Sequence, residues 1–295
     1  MIEKILLKPK TCFSEMFSSD QLWGQMIWAI SDLYGNDVAS EAVAEFLDKP
    51  PFIISSLLID GFLPKPLYVD IIGDLDSAEH KHNKKLKNIS YEDFRRLQLN
   101  PMAFSSEEIH KRPRAFSSID EIHASISRDS LKVSEGGLFN SSYIWTDELL
   151  CFYISYNSMS DGWNKKIDSI LSYFEKTGLG GDKNTGHGQF DISRTSVSNI
   201  EKEIFDFKSS DFFISLSDCS GQDLVPVSYS LDVYSGISGR VIGGAYRKKP
   251  VVRFKSGSLF LDGTGSIVRN TGSDSSCSYG LAFPVYMTYN EEVKA

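Results

Sequence analysis

The segment Trp163–Phe190 constrains this chain more than any other. Trp163, Ile167, Ile170, Leu171 and Phe174 recur at i, i+4, i+7, i+8 and i+11, the apolar stripe of an amphipathic helix. That helix cannot run past Gly178. Gly178, Gly180, Gly181, Gly186 and Gly188 place five glycines in eleven positions, and glycine disfavours helix. Strand-like sequence resumes at Phe190. A Walker phosphate loop needs Gly-Lys-Ser/Thr between a strand and a helix. Here Lys183 stands between Asp182 and Asn184, and the order is helix, loop, strand. No G-x-G-x-x-G opens a helix, so NTP hydrolysis and dinucleotide binding are both disfavoured. The loop offers a backbone free of side-chain bulk, able to approach a phosphate chain and present N–H groups to it, with Lys183 and His187 alongside. The alternative is a tortuous turn.

The same patterning organises the rest. A strand over residues 3–8 leads to a helix from about Ser19 to Tyr34, capped by Ser19 or Asp20 and striped by Leu22, Trp23, Met26, Ile27, Ile30 and Leu33. A second helix, about Val38–Leu47, ends before Lys49-Pro50-Pro51. Residues from about 50 to 118 are loop-rich and read as an insertion. Beyond it, period two puts Ile122, Ala124 and Ile126 on one strand face and His123, Ser125 and Ser127 on the other. Leu138–Tyr156 reads as a strand or a bulged hairpin. With the insertion removed, the order is the βαββαβ of a ferredoxin-like fold. After Phe205, the stretches Phe212–Leu216, Leu224–Leu231, Val251–Phe254 and Leu281–Met287 read as strands of a second, β-rich domain.

Composition narrows the partners. The net charge of −8 argues against a free-standing nucleic-acid binder. The charge is segregated, however. Arg240, Arg247, Lys248, Lys249, Arg253 and Lys255 occupy one stretch without an acid, and residues 80–87 carry four lysines and two histidines. In Val251–Lys255, alternation sets Arg253 and Lys255 on one face and Val252 and Phe254 on the other, which reads as basic outward and apolar inward. Such a strand suits a phosphate backbone, the alternative being a solvated, charged sheet edge. No apolar run approaches the ~20 residues of a membrane span, and the N-terminus lacks a signal-peptide pattern. The cysteines Cys12, Cys151, Cys219 and Cys277 show no metal-ligand or disulfide spacing and read as free thiols. His80 and His82 near Asp70, Asp74 and Asp76 sit in sequence without periodicity and beside lysines that repel cations. No metal and no cofactor is expected.

Several segments together carry a resemblance. They are Ser19-Asp20-Gln21-Leu22-Trp23-Gly24, Ser55-Ser56 with Leu63-Pro64-Lys65-Pro66, and His123–Arg128 with Gly137-Leu138-Phe139. The others are the loop Gly178–Phe190, Arg247-Lys248-Lys249-Pro250 with Gly257-Ser258, and Tyr279-Gly280-Leu281-Ala282-Phe283-Pro284. In this order the chain resembles the RAMP superfamily of CRISPR proteins, in its Cas-five-like group, and specifically the family of fourth subunits of type III-A Csm effector complexes. The resemblance implies an α+β protein of two ferredoxin-like (RRM-like) domains, residues 1–197 and 198–295. It implies a non-catalytic cytoplasmic role in a prokaryote, holding the single-stranded 5′ tag of a guide RNA and bridging the large polymerase-like subunit to the backbone RAMP subunit. The RNA-contacting residues are then expected in the loop (Gly178, Gly180, Gly181, Lys183, Gly186, His187, Gly188) and at His123 and Arg128. The basic stretch adds Arg240, Arg247, Lys248, Lys249, Arg253 and Lys255. The competing reading is a RAMP endoribonuclease that processes guide precursors, with His123 as general base and Lys183 or His187 completing an acid–base pair.

Overall fold

The computed structural model describes residues 1–67, 86–100, 112–127, 129–157, 162–208, 212–238, 246–269 and 276–288. Strand β1 (Ile2–Pro9) leads to helices α1 (Ser19–Tyr34) and α2 (Asn36–Asp48). The cap of α1 is Ser18, one residue earlier than expected. Its hydroxyl accepts from the Gln21 N–H while the Gln21 side chain accepts from the Ser18 N–H, a reciprocal capping box. Short strands β2 (Phe52–Ile54), β3 (Leu58–Ile59), β4 (Phe62–Pro64) and β5 (Asn88–Ser90) precede helix α3 (Tyr91–Leu99). A long hairpin follows, β6 (Ser117–Ile126) with β7 (Val133–Trp145), then β8 (Leu150–Tyr156), helix α4 (Trp163–Thr177), β9 (Phe190–Ser196) and helix α5 (Asn199–Phe205).

Four of these strands form a sheet in the order β2-β8-β1-β9, every neighbour antiparallel, with β3 also pairing to β8. Pleat alternation gives the sheet two buried faces. Ile5, Leu7, Leu150, Phe152 and Ile154 share one core with the stripes of α1, α2 and α4. Cys151 and Tyr153 belong to a second core with α3, α5 and the C-terminal half. That half comprises β10 (Phe212–Ser215), β11 (Val225–Ser228), β12 (Leu231–Tyr234), β13 (Ile237–Ser238), β14 (Tyr246–Arg247), β15 (Val251–Phe254), β16 (Leu259–Asp262), β17 (Val268–Arg269), β18 (Cys277–Ser278) and β19 (Pro284–Met287). Its main sheet runs β11-β16-β10-β19, again antiparallel throughout. Numbered along the chain, the strands of both sheets stand in the same order, second-third-first-fourth.

Three expectations need correction. The stretch read as an insertion from about residue 50 contributes β2 and β3 to the central sheet. It also holds α3, a helix whose buried residues Tyr91, Phe94 and Leu97 come one turn apart in too short a run for periodicity to register. The apolar face of β6 is not a core face: Ile122 is 78% and Ile126 61% exposed, because among the described residues the hairpin's strands pair with each other and, through Ile144, with Phe13, and with neither sheet. Leu138–Tyr156 is split between two sheets rather than being one strand. Residues 80–85 of the basic run, with Asp70, Asp74 and Asp76, lie outside the described residues. No helix among the described residues is long and apolar enough to cross a membrane.

The second face of the central sheet buries charge. Lys4 on β1 reaches Asp60 at 2.5 Å and Glu201 on α5 at 2.8 Å. Tyr153 donates to Glu201 at 2.6 Å and shares a 2.7 Å hydrogen bond with Tyr91. Burial alone would push the Glu201 carboxyl up, but the Lys4 ammonium and the bonds from Ser198 and Tyr153 outweigh it and hold the group below its ordinary 4.5. A depressed carboxylate stabilises the fold fully above its unfolded pKa, and that contribution fades as pH falls through the lower folded value. Lys4→Met leaves Glu201 buried and unpaired, and urea unfolding at neutral pH should show a loss of about 3–5 kcal/mol. The wild type should lose stability as the pH drops below 4.5, and the variant should lose less over that window. Parallel acid profiles for the two proteins would contradict this assignment.

Candidate nucleic-acid interface

Helix α4 ends where expected, its last-turn carbonyl at Phe174 accepting from the Gly178 N–H at 2.8 Å. The loop beyond is zipped at its stem. Leu179 N–H donates to Gly188 O at 2.8 Å, Gly188 N–H to Cys12 O at 2.8 Å, and Gln189 N–H to Thr11 Oγ1 at 3.0 Å. Gly188 is required by this closure, since a Cβ there would lie 2.0 Å from Leu179 O with φ at +66°. Gly178 and Gly180 are likewise pressed against Gly188 O and the Phe17 ring. At the tip, a 3-10 turn over Lys183–Thr185 follows Asp182, and only here is the backbone open: a Cβ on Gly186 meets nothing within 4 Å, and one on Gly181 only Ser14 Oγ at 4.0 Å. The five glycines therefore divide by task, three for internal packing and two for access.

The loop meets the base of the hairpin. The His187 ring stacks on Tyr143 at 4.0 Å, and Tyr143 donates to Asp182 at 2.9 Å. His187 is only 8% exposed, because Tyr143, a residue the sequence reading passed over, covers it. His123 stacks on Phe139 at 5.4 Å, and Phe139 is exposed. An open pair, Phe139 and His123, therefore adjoins a closed pair, Tyr143 and His187. Lys183 places its ammonium over the Tyr173 ring at 5.8 Å.

The basic stretch is partly inverted. Strand β15 pairs with β12, and alternation holds, but Arg253 is 4% exposed and Val252 55%. The guanidinium points inward because partners wait there. It pairs with Asp232 at 3.0 Å, donates to Ser18 Oγ at 3.2 Å and lies 4.1 Å from the centre of the Tyr234 ring. Asp218 is 3.8 Å away. Arg253 is thus a tie between the two halves of the chain and not part of a basic outer face. Lys249 and Lys255 are exposed. Lys248 donates its ammonium to Cys277 O at 2.8 Å. Arg247 falls in β14 opposite Ile237, and Arg128 and Arg240 lie outside the described residues.

One segment joins these pieces. Ser14 and Phe17 lie against Gly180, and Gln25 accepts from the Gly180 N–H at 3.0 Å. On its other flank Ser18 takes the bond from Arg253. The start of α1 is thus the shared wall between the glycine loop and the β12–β15 pair. Gly188→Ala should lower the melting temperature by several degrees or prevent folding, since backbone must shift at a closed stem. Gly181→Ala should melt within about 2 °C of the wild type. Equal melting temperatures for all three proteins would contradict the division of the glycines.

No family model matches the chain. The CRISPR system Cms protein Csm4 of Thermococcus onnurineus (strain NA1) is 26% identical over 298 residues, spanning 96% of this chain and 92% of that protein. Among solved structures, the fold is similar to a chain of the Csm1-Csm4 cassette in complex with pppApA, with TM-score 0.65 and 20% identity over 99% of this chain and 100% of that one. It is also similar to a chain of the Csm3-Csm4 subcomplex in the type III-A CRISPR-Cas interference complex, with TM-score 0.69 and 16% identity over 97% of this chain and 100% of that one. End-to-end likeness in sequence to one Csm4 protein and in fold to chains of the Csm1-Csm4 and Csm3-Csm4 assemblies, together with the motif order from Ser19 to Pro284, makes this chain similar throughout its length to the Csm4 proteins of type III-A CRISPR systems.

Proposed function

We propose that this chain is the non-catalytic guide-RNA-binding subunit of a type III-A Csm interference complex in a prokaryotic cytoplasm, bridging a Csm1-type large subunit to a Csm3-type backbone subunit. The relatives assemble in those two pairs, as a Csm1-Csm4 cassette and a Csm3-Csm4 subcomplex. The two sheets with identical strand order support a reading as two ferredoxin-like domains, the second having residues 216–224 in place of the first crossover helices. An acidic chain suits this role: RNA contact is confined to one groove and much of the remaining surface faces protein.

The observation that carries RNA binding is that Tyr143 joins the two parts, its hydroxyl on Asp182 beside the open backbone at Gly181 and its ring edge-on to His123, which stacks on the exposed Phe139. Single strands are held by combining backbone contacts with stacking worth ~1–3 kcal/mol per base. Lys183, Lys249 and Lys255 supply charge for the phosphates, with Arg247, Lys248, Arg128 and Arg240 from the same stretches. Gly178, Gly188, His187 and Arg253 act behind this surface, as supports. An endoribonuclease would need an acid and a base on opposite sides of one scissile phosphate. His187 is buried beneath Tyr143 and Lys183 sits over Tyr173, which disfavours either as the partner of His123 in such a pair.

A short groove closed by partner proteins holds one end of a strand rather than any stretch of it. In the assembled complex, guide RNA should crosslink to this chain at its 5′ tag alone, and Gly181→Val should reduce guide retention while leaving the melting temperature near wild type. Replacing Arg247, Lys248 and Lys249 together should flatten the logarithmic salt slope on single-stranded RNA by up to about two units, at about 0.7 per phosphate. Crosslinks spread evenly along the guide would favour a backbone-repeat subunit. Cleavage of repeat RNA by the purified chain would favour the endoribonuclease.

A further inference from the structure

Beneath the hairpin, three segments far apart in sequence bring metal-ligating atoms together. Cys12 Sγ, a carboxylate oxygen of Glu121 and a ring nitrogen of His187 all lie within 4.8 Å of one another. His187 Nε2 is 3.3 Å from Glu121 Oε2, and His123 Nε2 is 3.7 Å from the same oxygen. Hydrogen bonding at the far side of the His187 ring sets its orientation. Thr185 donates its hydroxyl to Asp182 O at 2.7 Å and lies 3.1 Å from His187 Nδ1, from which it accepts when that nitrogen carries the ring proton. In that tautomer the Nε2 lone pair opposes both oxygens of the Glu121 carboxylate, 3.3 Å from Oε2 and 3.4 Å from Oε1. A cation between the two resolves that opposition.

We propose that Cys12, Glu121 and His187 form a zinc site that clamps the hairpin base to the glycine loop, with His123 beside its fourth position. The donor set is one thiolate, one imidazole and one carboxylate, which suits zinc and excludes calcium or magnesium, whose ligands are oxygens. In a tetrahedral zinc site with bonds of ~2.0–2.3 Å, ligand atoms lie roughly 3.3–3.8 Å apart. The His187–Glu121 edge already has that length, and Cys12 Sγ lies within 4.8 Å of both other ligand atoms. Thr185 is the outer partner that metal-bound histidines generally have, fixing which nitrogen is bare. Binding displaces the thiol proton of Cys12, and no other bond changes. The site is separate from the open Gly181–Gly186 tip and does not depend on the RNA-binding proposal.

The test uses the full chain prepared without a histidine tag. After passage over a chelating resin and reconstitution with zinc, the wild type should retain about one zinc per chain by mass spectrometry. Cys12→Ser and His187→Gln should each lose it, and Lys249→Ala should keep it. Thr185→Val should weaken zinc affinity by roughly 10–100-fold. Cobalt added to the wild type should give a thiolate-to-cobalt charge-transfer band and the strong visible bands of a tetrahedral ion. This second readout needs no variant to fold. Zinc retained equally by both variants, no zinc retained by the wild type, or a cobalt spectrum without thiolate charge transfer would each overturn the site.

Discussion

A strand covered on both faces can carry an ionised side chain only where another part of the chain supplies its counter-charge. That constraint acts on the central sheet, where β1 turns Lys4 toward the C-terminal half. Its ammonium takes Asp60 from beside β3 and Glu201 from α5, and Tyr153 and Tyr91 complete the network. Removing either charge strands the other in an apolar interior, which costs several kcal/mol. The pair therefore specifies where α5 docks, and with it the start of the second sheet. Apolar contacts among Leu58, Phe94, Ile204, Ile214 and Phe283 stabilise that docking but would tolerate sliding. The charges do not.

A second junction gathers motifs that stand apart in the sequence. The Asp20 carboxylate accepts from the Tyr279 N–H at 2.6 Å, and the Tyr279 hydroxyl accepts from the Ile54 N–H at 2.9 Å. Ser56 Oγ accepts from the N–H groups of both Ser19 and Asp218. Burial pushes the Asp20 carboxyl above its ordinary range, partly offset by Lys248, the Tyr279 bond and Arg253. Residues 18–24, 55–56 and 279–284 thus meet at one point, where the first helix is capped against the C-terminal half. Their role is architectural, and the surfaces that can meet RNA are hung from it.

The helix stripes, the capping signal near residue 19 and the glycine loop were legible because each is a local pattern: period 3.6, a hydroxyl before an apolar run, glycines where no helix can continue. The hairpin shows where that reasoning stops. An alternating strand looks the same whether its apolar face meets a sheet or projects free, and Ile122 and Ile126 project. Arg253 is a similar case. Alternation correctly separated it from Val252, but only Asp232, Ser18 and Tyr234, brought in from other segments, decide that the charged side turns inward.

By itself the sequence determined the long amphipathic helices, the first strand, the glycine loop and the family motifs, because propensity and periodicity act between residues a few positions apart. Tertiary structure decided which faces are buried, which glycines are open and which ionisable groups meet. Cysteine spacing offered no metal site, since Cys12, Glu121 and His187 are separated by more than a hundred and by more than sixty positions. They converge because the segment after β1, the middle of β6 and the glycine loop meet at one place in the fold. Distances between groups on separate elements depend on how those elements pack, and no local pattern encodes them.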